Sequence, residues 1–357
     1  MGGHAGQKAF MMNDTSRRPP LLSVAPMMDW TDRHCRFFHR LMSRHALLYT
    51  EMITAPAIIH GPRTRLLDFT AAEHPVTLQL GGSVPRELAE AVRIAHSWHY
   101  DEINLNCGCP SDRVQSGAFG AILMRSPDLV ADCVRAMQAE TDRPITVKCR
   151  IGIDDDVPES VLPRFMEILA RAGIMHFIIH ARKAWLKGLS PRENRDIPPL
   201  DHALVLRMKE RYPELTISLN GGVKDLATAR TLLEAGLDGV MIGRTAYQRP
   251  GEILLGADSL WEDVPTPDPA GIVLAMVPYI QAHLDAGGRL SQITRHMLGL
   301  FHGRPGARGW RQILSSQGTQ EGAGTETVLC ALSHVQEAGF AARSGANTAL
   351  EAHENLV

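Results

Sequence analysis

Nothing in this sequence marks it for export or for a membrane. Six cysteines, Cys35, Cys107, Cys109, Cys133, Cys149 and Cys330, are scattered over 357 residues. That is too sparse and uneven for a disulfide framework, which excludes the small secreted scaffolds. Met1 to Pro20 is polar and contains glycine, with no apolar core before a cleavage site. No apolar run reaches the roughly 18–20 residues a bilayer-spanning helix needs. A reducing cytoplasm is therefore the expected location, and a monomer the expected state. Metal-ligand spacing is missing as well, because Cys107-x-Cys109 is followed by no second pair. A formal net charge of -2 announces no nucleic-acid partner, so any such surface has to be a local patch.

What is present begins with composition: 44% hydrophobic and 21% charged residues are enough for a sizeable core. Short apolar runs recur at Leu21–Pro26, Leu47–Met52, Val76–Leu80, Glu102–Asn106, Ile145–Arg150, His176–Arg182, Thr216–Gly222 and Gly239–Arg244. Runs of this length fit parallel strands buried on both faces. Segments of helical period lie between them, among them Arg86–Ser97, Leu129–Glu140, Val161–Ala172 and Ala227–Ala235, with Gly173 and Gly236 where a left-handed C-cap is expected. Eight strands alternating with helices read as a (β/α)8 TIM barrel. A doubly wound sheet is the alternative, but Pro26-Met27-Met28-Asp29 after the first strand carries no dinucleotide-binding glycine fingerprint.

The strand rhythm ends after Arg244, and Asp263–Pro269 reads as a Pro-rich linker. Ala270–Ala286, Ser291–Leu300, Gly309–Ser315 and Glu326–Ala338 then form a small all-α region. The expected division is a disordered segment 1–19, a barrel over 20–262, a helical domain over 270–338 and a frayed tail over 339–357.

Active sites of (β/α)8 barrels lie at the C-terminal ends of the strands. Polar residues stand at those ends here: Pro26-Met27-Met28-Asp29, Glu51, Gln79, Asn106 to Pro110, Lys148 and Arg150, His180 and Arg182, Asn220-Gly221-Gly222, and Gly243-Arg244. A lysine inside a parallel strand needs an anionic partner, because an unpaired buried charge is prohibitively costly. The glycines after strands seven and eight fall where barrels hold a phosphate, with Arg244 as an added bidentate donor. Cys107-x-Cys109-Pro110 has two readings that the residues leave open, an inert buried thiol and an acid that protonates a carbon next to one accepting hydride.

At this point the chain resembles the tRNA-dihydrouridine synthases, most closely their A-type branch. The segments that carry the resemblance include VAPMMDWTDRHCR (24–36), YDEINLNCGCPSDRVQSGAFGAILM (100–124), VKCRIGID (147–154), FIIHARKAWLKGLSPRENR (177–195) and ITRHMLGLFHGRPGARGWRQ (293–312). It covers roughly residues 20–335. The resemblance implies FMN held by Pro26, Met27, Met28, Gln79, Lys148, His180, Asn220, Gly221, Gly222, Gly243 and Arg244. It implies NADPH as reductant, hydride transfer to C6 of a uracil, Cys109 as the proton donor to C5, and Asn106 beside the extruded uridine. The A-type likeness implies positions 20 and 20a of the D-loop. One departure stands at Cys107, where the family more often has an apolar residue.

A hint of RNA also comes from charge. Between Asp285 and Glu321 there is no acidic residue, while Arg289, Arg295, Arg304, Arg308 and Arg311 occur. A solvated helix face normally mixes signs, so this reads as a phosphate-tracking surface. Lys183, Lys187, Arg192 and Arg195 would extend it across the barrel mouth. Two rivals remain: a flavin barrel acting on a free pyrimidine, as a dihydroorotate dehydrogenase-like enzyme does, and a non-catalytic RNA-binding module. The arginines disfavour the first, and the set Cys109, Lys148 and His180 disfavours the second.

Overall fold

The apolar runs become eight parallel strands in the computed structural model, which describes residues 20–111 and 119–354. They are β1 (Leu22–Val24), β2 (Leu47–Thr54), β3 (Val76–Gly81), β4 (Glu102–Cys107), β5 (Ile145–Arg150), β6 (His176–His180), β7 (Thr216–Asn220) and β8 (Gly239–Ile242). Each pairs with the next, and β8 returns to β1 through Leu22 opposite Val240, closing a barrel. The segment 1–19 and the stretch 112–118 of the long motif after β4 lie outside the described residues.

Strand alternation sorts the side chains into two sets. Ile103, Leu105 and Cys107 of β4 join Val147 and Cys149 of β5 and Phe177 and Ile179 of β6 in the main hydrophobic core, under the helices Pro85–Ala95, Pro127–Gln138 and Pro158–Arg171. The inward set is different from the sequence reading. Strand middles were expected to be apolar, yet Thr77, Gln79, Glu102, Asn104, Asn106, Thr146, His176, Ser218 and Asn220 are all buried polar residues of the strands. Only a small apolar cluster, Ala25, Leu47, Tyr49, Ile178 and Met241, fills the remaining interior. These polar residues are tolerated because they hydrogen-bond one another across the strands.

The helix Arg33–Met42, not anticipated from the sequence, starts at Asp32, whose carboxylate accepts the N–H of Cys35 at 3.0 Å. It seats the C-terminal helices Pro269–Asp285 and Leu290–Met297. Phe37 stacks on Tyr279 with centroids 4.0 Å apart, and His34 Nδ1 lies 2.8 Å from the Tyr279 hydroxyl. Asp32 also binds Arg295 at 2.6 Å and His296 at 3.1 Å. Burial by itself would raise the Asp32 carboxyl, but His296, the Cys35 N–H and Arg295 hold it well below the usual carboxylate range. Arg295 therefore does have a counter-charge, contrary to the sequence reading, because its partner lies on the barrel.

Beyond it, Ala307–Ser316 packs through buried Trp310, whose indole N–H donates to Met297 O at 3.0 Å and whose ring meets Phe301 edge-on at 4.9 Å. Such a ring pair adds about 0.5–1.5 kcal/mol beyond its buried area. The last helix, Thr325–Glu354, runs past Ala338, where a frayed tail was expected to begin. Residues 341–354 are alanine-rich and free of proline, which favours continuation of the helix despite Gly345. Among the described residues no helix is long and apolar enough to cross a membrane.

Candidate active site

Residues from β4, β5, β6 and β7 meet at the C-terminal end of the barrel. Lys148 stands opposite Asn106 in the β4–β5 register, and Arg150 opposite His180 in β5–β6. The Lys148 ammonium donates to Asn220 Oδ1 at 3.0 Å, and Asn220 is held in that orientation by donating its own amide to Met241 O at 2.8 Å. This hydrogen-bond partner of the half-buried lysine is neutral. Burial, and to a lesser extent Arg150, pushes Lys148 down to about 8. Burial together with Arg150 and Lys148 drives His180 well below its ordinary value, leaving a neutral ring.

The turn after β4 puts the two cysteines in different surroundings. Asn106 Oδ1 accepts from the N–H groups of Gly108 and Cys109, each at 3.0 Å, an Asx turn that breaks the extended chain. Cys107 stays on the outer face, fully buried opposite Cys149, and burial raises its thiol well above the ordinary value. It packs as a small hydrophobe. Cys109 is only half-buried, its Sγ 3.5 Å from the Ser111 hydroxyl, and it lies close enough to Lys148, Arg150 and Arg195 to act on their charge.

Arg150 was placed at the strand end without a role. Its guanidinium donates to Gly108 O at 3.2 Å, Lys183 O at 3.1 Å and Asn194 O at 2.9 Å. It thereby ties the cysteine turn to the loop after β6. Asn194, fully buried, braces that loop by accepting from Trp185 N and donating to Trp185 O. Glu51, at the mouth on β2, accepts the N–H of Asp29.

The glycine pair after β7 fits a phosphate. Gly221 and Gly222 have φ of 104° and 77°, a conformation side chains rarely adopt. A Cβ on Gly221 would collide with the His180 ring, and one on Gly222 with Leu200. Next to it, Gly243 ends β8 with φ and ψ both at -103°, facing Ala25 and Met27 of the first strand's turn. Pro26 and Met27 are half-buried there, and Met28 is exposed. The Arg244 side chain, expected to point at a phosphate, is instead forked onto Asp196 at 2.6 and 3.1 Å. Arg182, which sequence reasoning left without a function, has a buried Nε with no hydrogen-bond partner. A guanidinium whose Nη1 donates to Pro198 O while its Nε lacks a partner, a cradle closed to any Cβ and a half-buried lysine facing a neutral amide together suit an anionic, phosphate-bearing group.

The predicted RNA contacts are not all in one place. Arg195 is half-buried, donating to Pro191 O at 3.0 Å, and sits among Arg182, Arg244 and Cys109. Arg192 is exposed just before it. Lys183 is spent on Asp154 O and Asp156 O at 2.8 and 3.3 Å. Arg308 and Arg311 are exposed on the helix Ala307–Ser316. Among the described residues no group of three or more histidine, cysteine, aspartate or glutamate side chains could hold a metal.

The fold and this mouth define a (β/α)8-barrel enzyme with its polar site at the strands' C-terminal ends. Comparison narrows the class. The model of the dihydrouridine synthase family matches residues 23–336, and the chain belongs to that family. It is 52% identical over 331 residues to a tRNA-dihydrouridine(20/20a) synthase of Shewanella oneidensis, covering 91% of this chain and 97% of that one. It is 54% identical to the protein of that name in Vibrio cholerae over 89% and 98% of the two chains, and 50% identical to that of Escherichia coli K12 over 94% and 99%.

Proposed function

We propose that the protein reduces the C5–C6 bond of uridine to 5,6-dihydrouridine in the D-loop of tRNA, at positions 20 and 20a, with FMN as cofactor and NADPH as reductant. The observation that carries this reading is the Asx turn that presents Cys109 beside Lys148 and the glycine cradle in one barrel mouth. FMN, when bound and reduced, supplies the hydride to C6. The protein's own groups do the rest. Gly221, Gly222, Gly243, Arg182 and Arg244 would receive the phosphate, Arg244 after releasing Asp196. Pro26, Met27, Met28, Gln79, His180 and Asn220 would line the ring. Lys148 opposes negative charge gathering on that ring. Asn106 holds the uridine, which must leave its stack to be reached, and Cys109 Sγ delivers the proton to C5.

The purified protein is expected to be yellow and to release FMN, not FAD, on denaturation. A colourless protein that FMN does not reconstitute, or release of FAD, contradicts the cofactor assignment.

The region 270–338 would grip tRNA, because a uracil alone does not distinguish one uridine from another. Phosphate contacts fix register without reading sequence. Arg308 and Arg311, three residues apart on one helix, share a face. With Arg192 and Arg195 they would flank the extruded base. The double variant Arg308→Ala/Arg311→Ala should weaken tRNA binding and reduce the slope of log affinity against log salt by about one to two. The flavin spectrum and NADPH oxidation should not change. An unaltered slope with unaltered modification sites would show that these arginines do not orient the RNA.

A further inference from the structure

A line of hydrogen bonds descends the barrel interior beneath the Cys109 turn, and both of its ends impose the same direction. At the top, Asn106 Oδ1 faces two backbone donors, the N–H groups of Gly108 and Cys109. A backbone N–H cannot accept, so the Asn106 amide nitrogen must point down. It donates to Gln79 Oε1 at 3.0 Å. Gln79 Nε2 donates to Asn104 Oδ1 at 2.8 Å, and Asn104 Nδ2 to Thr146 Oγ1 at 2.9 Å. The Thr146 hydroxyl donates to Glu102 Oε1 at 2.8 Å. Glu102 also accepts from Tyr49 OH at 3.0 Å and Thr77 Oγ1 at 3.4 Å. A carboxylate only accepts, so Thr146 must give its proton downward and receive from Asn104 above.

All five members, Gln79, Glu102, Asn104, Asn106 and Thr146, are at most 8% exposed. Bulk solvent does not reach them to satisfy a reversed amide. Turning one over sets oxygen against oxygen or N–H against N–H at both of its junctions, and in a low-dielectric interior each mismatch is expensive. The residues come from β3, β4 and β5, held in register by Gln79 opposite Asn104 and Asn104 opposite Thr146. With both ends fixed, the line keeps one direction.

We propose that Glu102, Thr146 and Asn104 are positioning residues for the reaction: they anchor the line at the base of the barrel, hold the Gln79 amide in place beneath Asn106, and through Asn106 brace the Cys109 turn. This rests on the reading that Cys109 is the acid and Asn106 faces the uridine. None of the three proposed residues hydrogen-bonds to Cys109 in the structure.

Thr146→Val removes the hydroxyl that joins Asn104 to the carboxylate, leaving the buried Asn104 N–H without its acceptor and the line anchored only at its top. With FMN saturating, kcat for dihydrouridine formation should fall about tenfold, the scale of one buried hydrogen bond read in a rate, with KM for tRNA unchanged. Alkylation of Cys109 by iodoacetamide, followed at that residue by mass spectrometry, should become faster. Thr146→Ser should restore both. Tyr49→Phe and Thr77→Val each remove a buried donor to the same carboxylate from outside the line, and should leave both readings at the wild-type level. Equal losses in Thr146→Val and the two controls, no change in any of them, or a Thr146→Ser variant as impaired as Thr146→Val would overturn the proposal. If Thr146→Val does not fold, Thr146→Ala removes the same hydroxyl and is read identically. If the wild-type protein forms no dihydrouridine, the functional reading fails, while the alkylation series still decides whether the line holds the turn.

Discussion

Cys109→Ala is expected to slow uridine reduction by about 10²- to 10⁴-fold, the range for loss of a positioned general acid, while FMN binding, tRNA binding and flavin reduction by NADPH continue. The two half-reactions separate because only C5 protonation uses the thiol. Geometry picks Cys109 over its neighbour: it is half-buried at the mouth, while Cys107 is sealed on the outer face against Cys149. Cys107 is fully buried on that outer face, and burial raises its thiol, which disfavours ionisation. Cys107→Ala removes one sulfur from a packed site and should change activity little, at a stability cost of about 1 kcal/mol. Single-turnover measurement of dihydrouridine formation, beside stopped-flow flavin reduction, checks both variants. Loss of activity in Cys107→Ala with retention in Cys109→Ala would assign the acid wrongly.

Lys148→Met should lower the rate of flavin reduction by about 10²- to 10³-fold, the usual effect of deleting one preorganised charge partner. The lysine is half-buried, directed by a neutral Asn220, and has a lowered pKa of about 8. A lowered lysine pKa means that the charged form is disfavoured in the folded, ligand-free protein. Below about pH 8 the ammonium is present and an anion gains its attraction. Binding of the anion raises the lysine's pKa again, so FMN affinity should decline as pH rises through about 8, up to that raised value. In Lys148→Met this alkaline decline should vanish. Titrations of FMN fluorescence on both sides of that pH decide it, and the same decline in the variant would remove Lys148 from the cofactor site.

The barrel was legible because buried parallel strands are written as short apolar blocks between helical segments, and all eight blocks fall on strands. The inward polar line was not. EINLN and ITVKCR were read as apolar, although Glu102, Asn104 and Asn106 alternate with Ile103 and Leu105, and Thr146 and Lys148 with Val147. The alternation is a period-two signal that could have been found. Its meaning comes only from strand pairing, which brings Tyr49, Thr77 and Thr146 to one carboxylate on β4. Charge partners were equally hidden. Arg244 meets Asp196 and Arg295 meets Asp32 across 48 and 263 residues of sequence, so a local scan for acidic residues misses both. The left-handed backbone at Gly221 and Gly222 was readable because such a conformation depends on residues within a few positions.

Mapping of dihydrouridine in tRNA is the most direct test of the central claim. Unmodified tRNA transcripts incubated with the purified protein, FMN and NADPH should acquire dihydrouridine at positions 20 and 20a, and tRNA from cells lacking the protein should have lost it there. Oxidation of NADPH with every uridine in the D-loop left unreduced, by the wild-type protein on intact tRNA, would contradict the account.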